Sequence, residues 1–144
     1  MNKNEKIISK LYDDLKNIRL LQYSTYIYSS LYIAEKTKNE YEPDGNMESS
    51  FIVMSNSINA KLKDINDTSD YIPTEIYTAR LKVANYKLAL QELQSFCEVE
   101  NISTNMSYFN YMSKLEKVNS DCDNAYIEAL DEIKNLKEIL KKEN

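Results

Sequence analysis

Chain reversals have few places to happen in this sequence. Tight turns draw on glycine and proline for the backbone angles they need, yet among 144 residues there are one glycine and two prolines. Pro43 and Gly45 lie together and Pro73 stands alone. A sandwich or barrel of short strands needs far more of both. The sparse punctuation therefore predicts an all-α chain of long helices with few connections, and the length suits one helical-bundle domain over residues 1–144.

The helices can be placed from apolar spacing. Asn2 with Glu5 resembles a capping box, and Ile8, Leu11, Leu15 and Ile18 follow at steps of three and four. Nothing interrupts this first helix until about Lys38, where KTKNEYEPDG gathers charge, Pro43 and Gly45. A second helix from Asn46 to about Asn66 carries the stripe Met47, Phe51, Met54, Ile58, Leu62 and Ile65. Pro73 and Glu75 open a third, with Ile76, Ala79, Val83, Tyr86, Leu90, Leu93 and Cys97 in bundle-seam spacing and a second stripe at Tyr77, Leu81, Ala84 and Leu88. That second stripe points to a second helical neighbour or to another protein.

The fourth helix is capped by Ser103 or Thr104 and runs to about Lys142, because Tyr108, Met112, Leu115, Cys122, Tyr126, Ala129, Ile133, Leu136 and Leu140 keep one heptad frame. The run NSDCDN at 119–124 is poor in helix formers. The expected fold is an antiparallel up-down four-helix bundle with long first and fourth helices. The alternative has five helices, with the fourth broken near 119–124. In the four-helix arrangement the ends near Asn4–Lys16 and Glu128–Lys142 should extend beyond the rest as a charged, solvated pair.

The segment Leu20–Ala34 carries no charge over 15 residues. Leu20, Ile27 and Leu31 fall on one side of a helix there, Leu21, Tyr28 and Tyr32 on the next, and Tyr26 and Ile33 on a third. A helix apolar most of the way round is buried or partner-bound, so this segment is expected to be the centre of the core. Ser49–Ala60 and Asn101–Ser113 are also charge-free, and an up-down bundle brings all three to one end. More aromatic rings gather there than one core can use. The surplus predicts a protein-binding surface of Tyr23, Tyr26, Tyr28, Tyr32, Met106, Phe109 and Tyr111, since tyrosine and methionine are enriched and charge depleted at interface centres.

Other function classes are thinly supplied. The chain holds no histidine, and its two cysteines have no metal-ligand spacing, so no metal and no cofactor are expected. Glycine-rich phosphate loops are missing, and neighbouring carboxylates such as Asp13 with Asp14 or Asp131 with Glu132 diverge around a helix. A net charge of −5, with Arg19 and Arg80 as the only arginines, argues against nucleic acid. No run reaches the roughly 20 apolar residues of a membrane span, so no membrane partner and a cytoplasmic location are expected. Cys97 and Cys122 are expected as unbridged thiols about 20 Å apart along the bundle. The wealth of Lys, Asn, Ile and Tyr fits translation of an AT-rich genome, bacterial, phage or viral.

The function expected from these readings is that of a non-enzymatic interaction module. It binds another protein through an uncharged, tyrosine-rich end, as an inhibitor or chaperone does. The alternative is a structural subunit that assembles with itself, as a homo-oligomer, through the same surface.

Overall fold

A computed structural model describes residues 2–38, 45–65, 72–96, 98 and 107–143. It contains α1 (Lys3–Lys38), α2 (Gly45–Asp64), α3 (Thr74–Phe96) and α4 (Tyr108–Glu143), packed as an all-α four-helix bundle. α1 starts where its cap predicts. The Glu5 amide donates to Asn2 Oδ1 at 2.8 Å, and the Asn2 side-chain amide donates to Glu5 at 3.1 Å. Ser103 and Thr104 lie outside the described residues; the described start of α4 is capped by Ser107, whose Oγ accepts from the Asn110 amide at 3.1 Å.

Contacts across the seams fix the directions. Arg19 meets Asp123 and Tyr26 meets Glu116, so α1 and α4 run antiparallel. Lys82 with Glu128 and Tyr86 with Tyr126 give the same sense for α3 and α4. α2 lies against the second half of α1, where Phe51 stacks on Tyr32 with ring centroids 4.6 Å apart. It meets α3 only lightly. At its exit, Lys87 Nζ reaches across from α3 and donates to the Ile65 carbonyl at 2.9 Å, closing a helix end that would otherwise lack partners.

One continuous α4 replaces the five-helix alternative. Leu115, Cys122, Ala129, Ile133 and Leu136 are buried in the frame the spacing predicts. The weak run 119–124 stays helical because Asn119 and Asp123 are bonded from α1, and tertiary contact outweighs propensity.

The ends of α1 and α4 expected to stand bare are covered over most of their length. Tyr86 of α3 is level with Gln22 of α1, so Thr74, twelve residues earlier, stands about level with Lys10. Ile76, Ala79 and Val83 therefore bury in one cluster with Ile8, Leu11, Leu15, Ile133 and Leu136. Three helices close the half of the bundle that α2 does not reach.

Candidate protein-binding face

α1 has two apolar lines, and only one faces the core. From Ile8 the inward positions run 8, 11, 15, 18, 22, 25, 29 and 32, the alternating steps of a bundle seam. Ile8, Leu11, Leu15 and Ile18 occupy the first four and are buried. The next three are Gln22, Thr25 and Ser29, also buried, before the seam turns apolar again at Tyr32 and Ile33. Meanwhile Leu20, Tyr23, Ile27 and Leu31 stand on the opposite side and are exposed, Leu20 by 64% and Ile27 by 54%. The apolar line thus crosses α1 by half a turn between Ile18 and Leu20. This corrects the expectation that the whole uncharged segment is the centre of the core: from Gln22 to Ser29 its inward face is polar, its outward face is apolar, and only Tyr32 and Ile33 return to the core.

The polar inward face is held by directed bonds. Gln22 Oε1 accepts from Tyr86 Oη at 2.5 Å and from Arg19 Nη1 at 2.9 Å. Its amide nitrogen donates to Asn119 Oδ1 and Asp123 Oδ1, each at 2.9 Å. Arg19 also bonds Asp123 at 2.5 Å and lies over the Tyr126 ring, 4.3 Å from its centroid. A buried glutamine so fully partnered is not a defect, since cost arises only where polar groups are left unmade. Burial works to lower the Arg19 pKa, but Asp123, Tyr86 and Tyr23 outweigh it and raise it above the ordinary value. Burial likewise pushes the Tyr86 phenol well up, with Arg19 pulling the other way. Arg19 stays charged and Tyr86 stays a donor across the working pH range.

The expected tyrosine surface divides accordingly. Tyr32 and Tyr111 are buried core residues, so neither is available to a partner. Tyr28 is half-buried on the α2 side of α1. Tyr26 turns the other way and donates to Glu116 of α4. That bond, with burial added, pushes its phenol up to about 12. Tyr23 and Phe109 are exposed, and Met106 lies outside the described residues. The predicted tyrosines of α1 therefore ring that helix rather than share one surface.

What is continuous is the outer face of α1 and the adjoining edge of α4. Phe109, Glu116, Asp123 and Ile127 follow one another at two-turn and one-turn steps along the side of α4 that bonds α1. The two apolar members are exposed, and the two charged ones are engaged by Tyr26 and Arg19. Spacing had marked Leu20, Ile27 and Leu31 as one line but assigned it to the core. The available signal was the seam of the first half of α1, which, extended by its own period, puts Gln22 inside and Leu20 outside.

The outer stripe of α3 is also uncovered. Tyr77, Leu81 and Leu88 are exposed, so none of the four described helices takes up the second stripe expected there. Among the described residues no three His, Cys, Asp or Glu side chains gather as a metal-binding group, and no helix is long and apolar enough to cross a membrane. Comparison with protein-family models, curated proteins and solved structures finds no match.

Proposed function

We propose that the chain is a non-enzymatic protein-interaction module whose binding face is the outer side of α1, Leu20, Tyr23, Ile27 and Leu31, with Phe109 and Ile127 of α4 beside it. The single observation that supports this is the half-turn switch of the apolar line. Scattered exposed apolar residues need no explanation, but here four fall in register on a charge-free segment while glutamine, threonine and serine occupy the seam behind them. A partner helix laid along α1 would bury such a stripe by its i, i+3, i+4 and i+7 anchors. A catalytic reading has less support, because the chain has no histidine and no clustered metal ligands among the described residues.

A second copy of the chain is the alternative occupant. Lys16 and Glu35 bracket the stripe, one at each end. Antiparallel pairing of two α1 faces would set each lysine near the other chain's glutamate, the self-complementary pattern of a two-fold interface.

The test uses Ile27→Asp and Phe109→Asp, with sedimentation and capture from source-cell extract measured together. The module reading expects a wild-type protein that retains a defined partner, and variants that fold normally but lose it. A concentration-dependent dimer abolished by Ile27→Asp supports self-assembly instead. A lone monomer whose captured proteins are unaffected by either substitution sinks both readings.

A further inference from the structure

Beneath α2, where α1, α2 and α3 meet, a small cavity is lined by Thr25, Tyr28, Ser29, Phe51, Met54, Ser55, Ile58 and Gln94. Two of these residues present unsatisfied polar atoms. Ser29 Oγ and both Gln94 side-chain polar atoms are buried and have no hydrogen-bond partner among the described residues. Ser29 is 1% exposed and Gln94 8%. An orphaned buried polar group is costly, and native proteins carry few of them, so three such atoms at one point call for a physical reason. Gln22, about two turns away on the same face of α1, shows how such a group is normally treated, with every polar atom engaged.

The size of the cavity supplies the reason. It holds about 10 Å³, the room of a single water molecule and too little for any larger ligand. A water placed there needs two to four polar partners, and the lining offers them. Gln94 Oε1 accepts, Gln94 Nε2 donates, and Ser29 Oγ does either. Thr25 Oγ1 already donates to the Leu21 carbonyl at 2.8 Å and keeps lone pairs that accept. Phe51, Met54 and Ile58 shield the site on the α2 side, so the occupant would exchange slowly with bulk solvent.

We infer that this cavity is a binding site for one ordered water molecule, which bridges Gln94 of α3 to Ser29 of α1 under the cover of α2. The water satisfies polar groups that the apolar side chains of α2 cannot. The seam between α2 and the other helices is therefore hydrated at its centre.

Magnetisation-transfer NMR between water and protein tests this on the intact chain. The expected result is long-lived water cross-peaks to the Gln94 side-chain amide and to protons near Ser29, lost in Gln94→Met/Ser29→Ala. Absence of those cross-peaks in the wild type, or their survival in the double variant, overturns the inference. Should the double variant not fold, a crystal structure of the wild type decides. A density peak within about 3 Å of both Ser29 Oγ and a Gln94 side-chain atom supports the site. Direct bonding of Gln94 to protein groups with no such peak refutes it.

Discussion

Tyr86 reaches from α3 to α1 and donates its phenol proton to Gln22 Oε1 at 2.5 Å, with both side chains almost wholly buried. An apolar seam can slip by a turn with little loss, whereas this bond and those from Gln22 to Asn119 and Asp123 exist in one alignment of three helices. Replacing Gln22 with Met leaves the Tyr86 hydroxyl without its acceptor and is expected to cost about 1–3 kcal/mol in urea unfolding. In a double-mutant cycle with Tyr86→Phe the coupling should be about 0.5–3 kcal/mol. Additive effects of the two substitutions would mean the bond does not form.

The outer apolar line of α1 and the buried seam of α4 should respond in opposite ways. Leu20→Gln and Ile27→Gln, on the outer side, are expected to change stability by no more than about 0.5 kcal/mol. Leu115→Ala and Ile133→Ala, at fully buried seam positions, should each cost about 2–5 kcal/mol. Denaturant midpoints of the four variants decide it, and a large loss at Ile27 would return that residue to the core.

Stability should fall in alkali. Burial, with Asp123 and Asp121 adding to it, lifts the Cys122 thiol from 9.0 to about 12, and Tyr26 rises from 10.0 to about 12 through its bond to Glu116. Unfolding returns both to their ordinary values, so above pH 9 the unfolded chain binds fewer protons than the native one and gains on it. The contribution of these groups is intact below pH 9 and declines as pH rises toward 12. Unfolding free energies measured from pH 7 to 11.5 should show this, with the early part of the decline removed in Cys122→Ala. A level profile would contradict the shifts.

The same burial governs thiol chemistry. The thiolate is the reactive species, so Cys122, free and buried, should resist iodoacetamide at pH 8 in the native protein and react at once in urea. Peptide mapping isolates it from Cys97, which lies outside the described residues. Fast native labelling of Cys122 would show that α4 opens at 119–124.

α2 should be the first element to exchange its amide hydrogens. Its described buried side chains are Phe51, Ile58 and Leu62, it meets α3 only lightly, and its seam with α1 and α3 contains Ser29 and Gln94. Regions with few buried apolar contacts open at the lowest free energy. Peptides from 49–64 are expected to take up deuterium before those from 8–33, 76–93 and 111–136. Equal protection throughout would make α2 an integral part of the cooperative unit.

Helix number and the start of α1 were legible, because a chain with one glycine and two prolines can turn in few places and Asn2 with Glu5 forms the expected cap, and the frame from Leu115 to Leu136 is regular enough to carry α4 across its weak run. The inner half of α1 was not. Apolarity states that a residue can be buried, not that it is, and between Leu20 and Ala34 nearly every face qualifies. What selects the face is the set of partners for Gln22 on α3 and α4, and these lie 64 to 101 residues away in the chain. Tyr23 and Tyr32 illustrate the limit: the same residue type on the same helix is exposed in one case and buried in the other. Only their phase relative to Ile8 and Leu11 distinguishes them.

The crossing of the apolar line between Ile18 and Leu20 sets how α1 can drift under mutation. Before Ile18, polar substitutions should accumulate on the outward positions and be purged from the inward ones. From Gln22 to Ser29 the inward positions tolerate neither charge nor bulk, since a methyl added at Ser29 or a truncation at Gln22 disturbs a buried polar layer. The outward positions there are free as far as folding is concerned. A pressure that kept them apolar would have to act on the protein after it has folded, and a catalogue of surviving variants would reveal such a pressure as a change of phase partway along one helix.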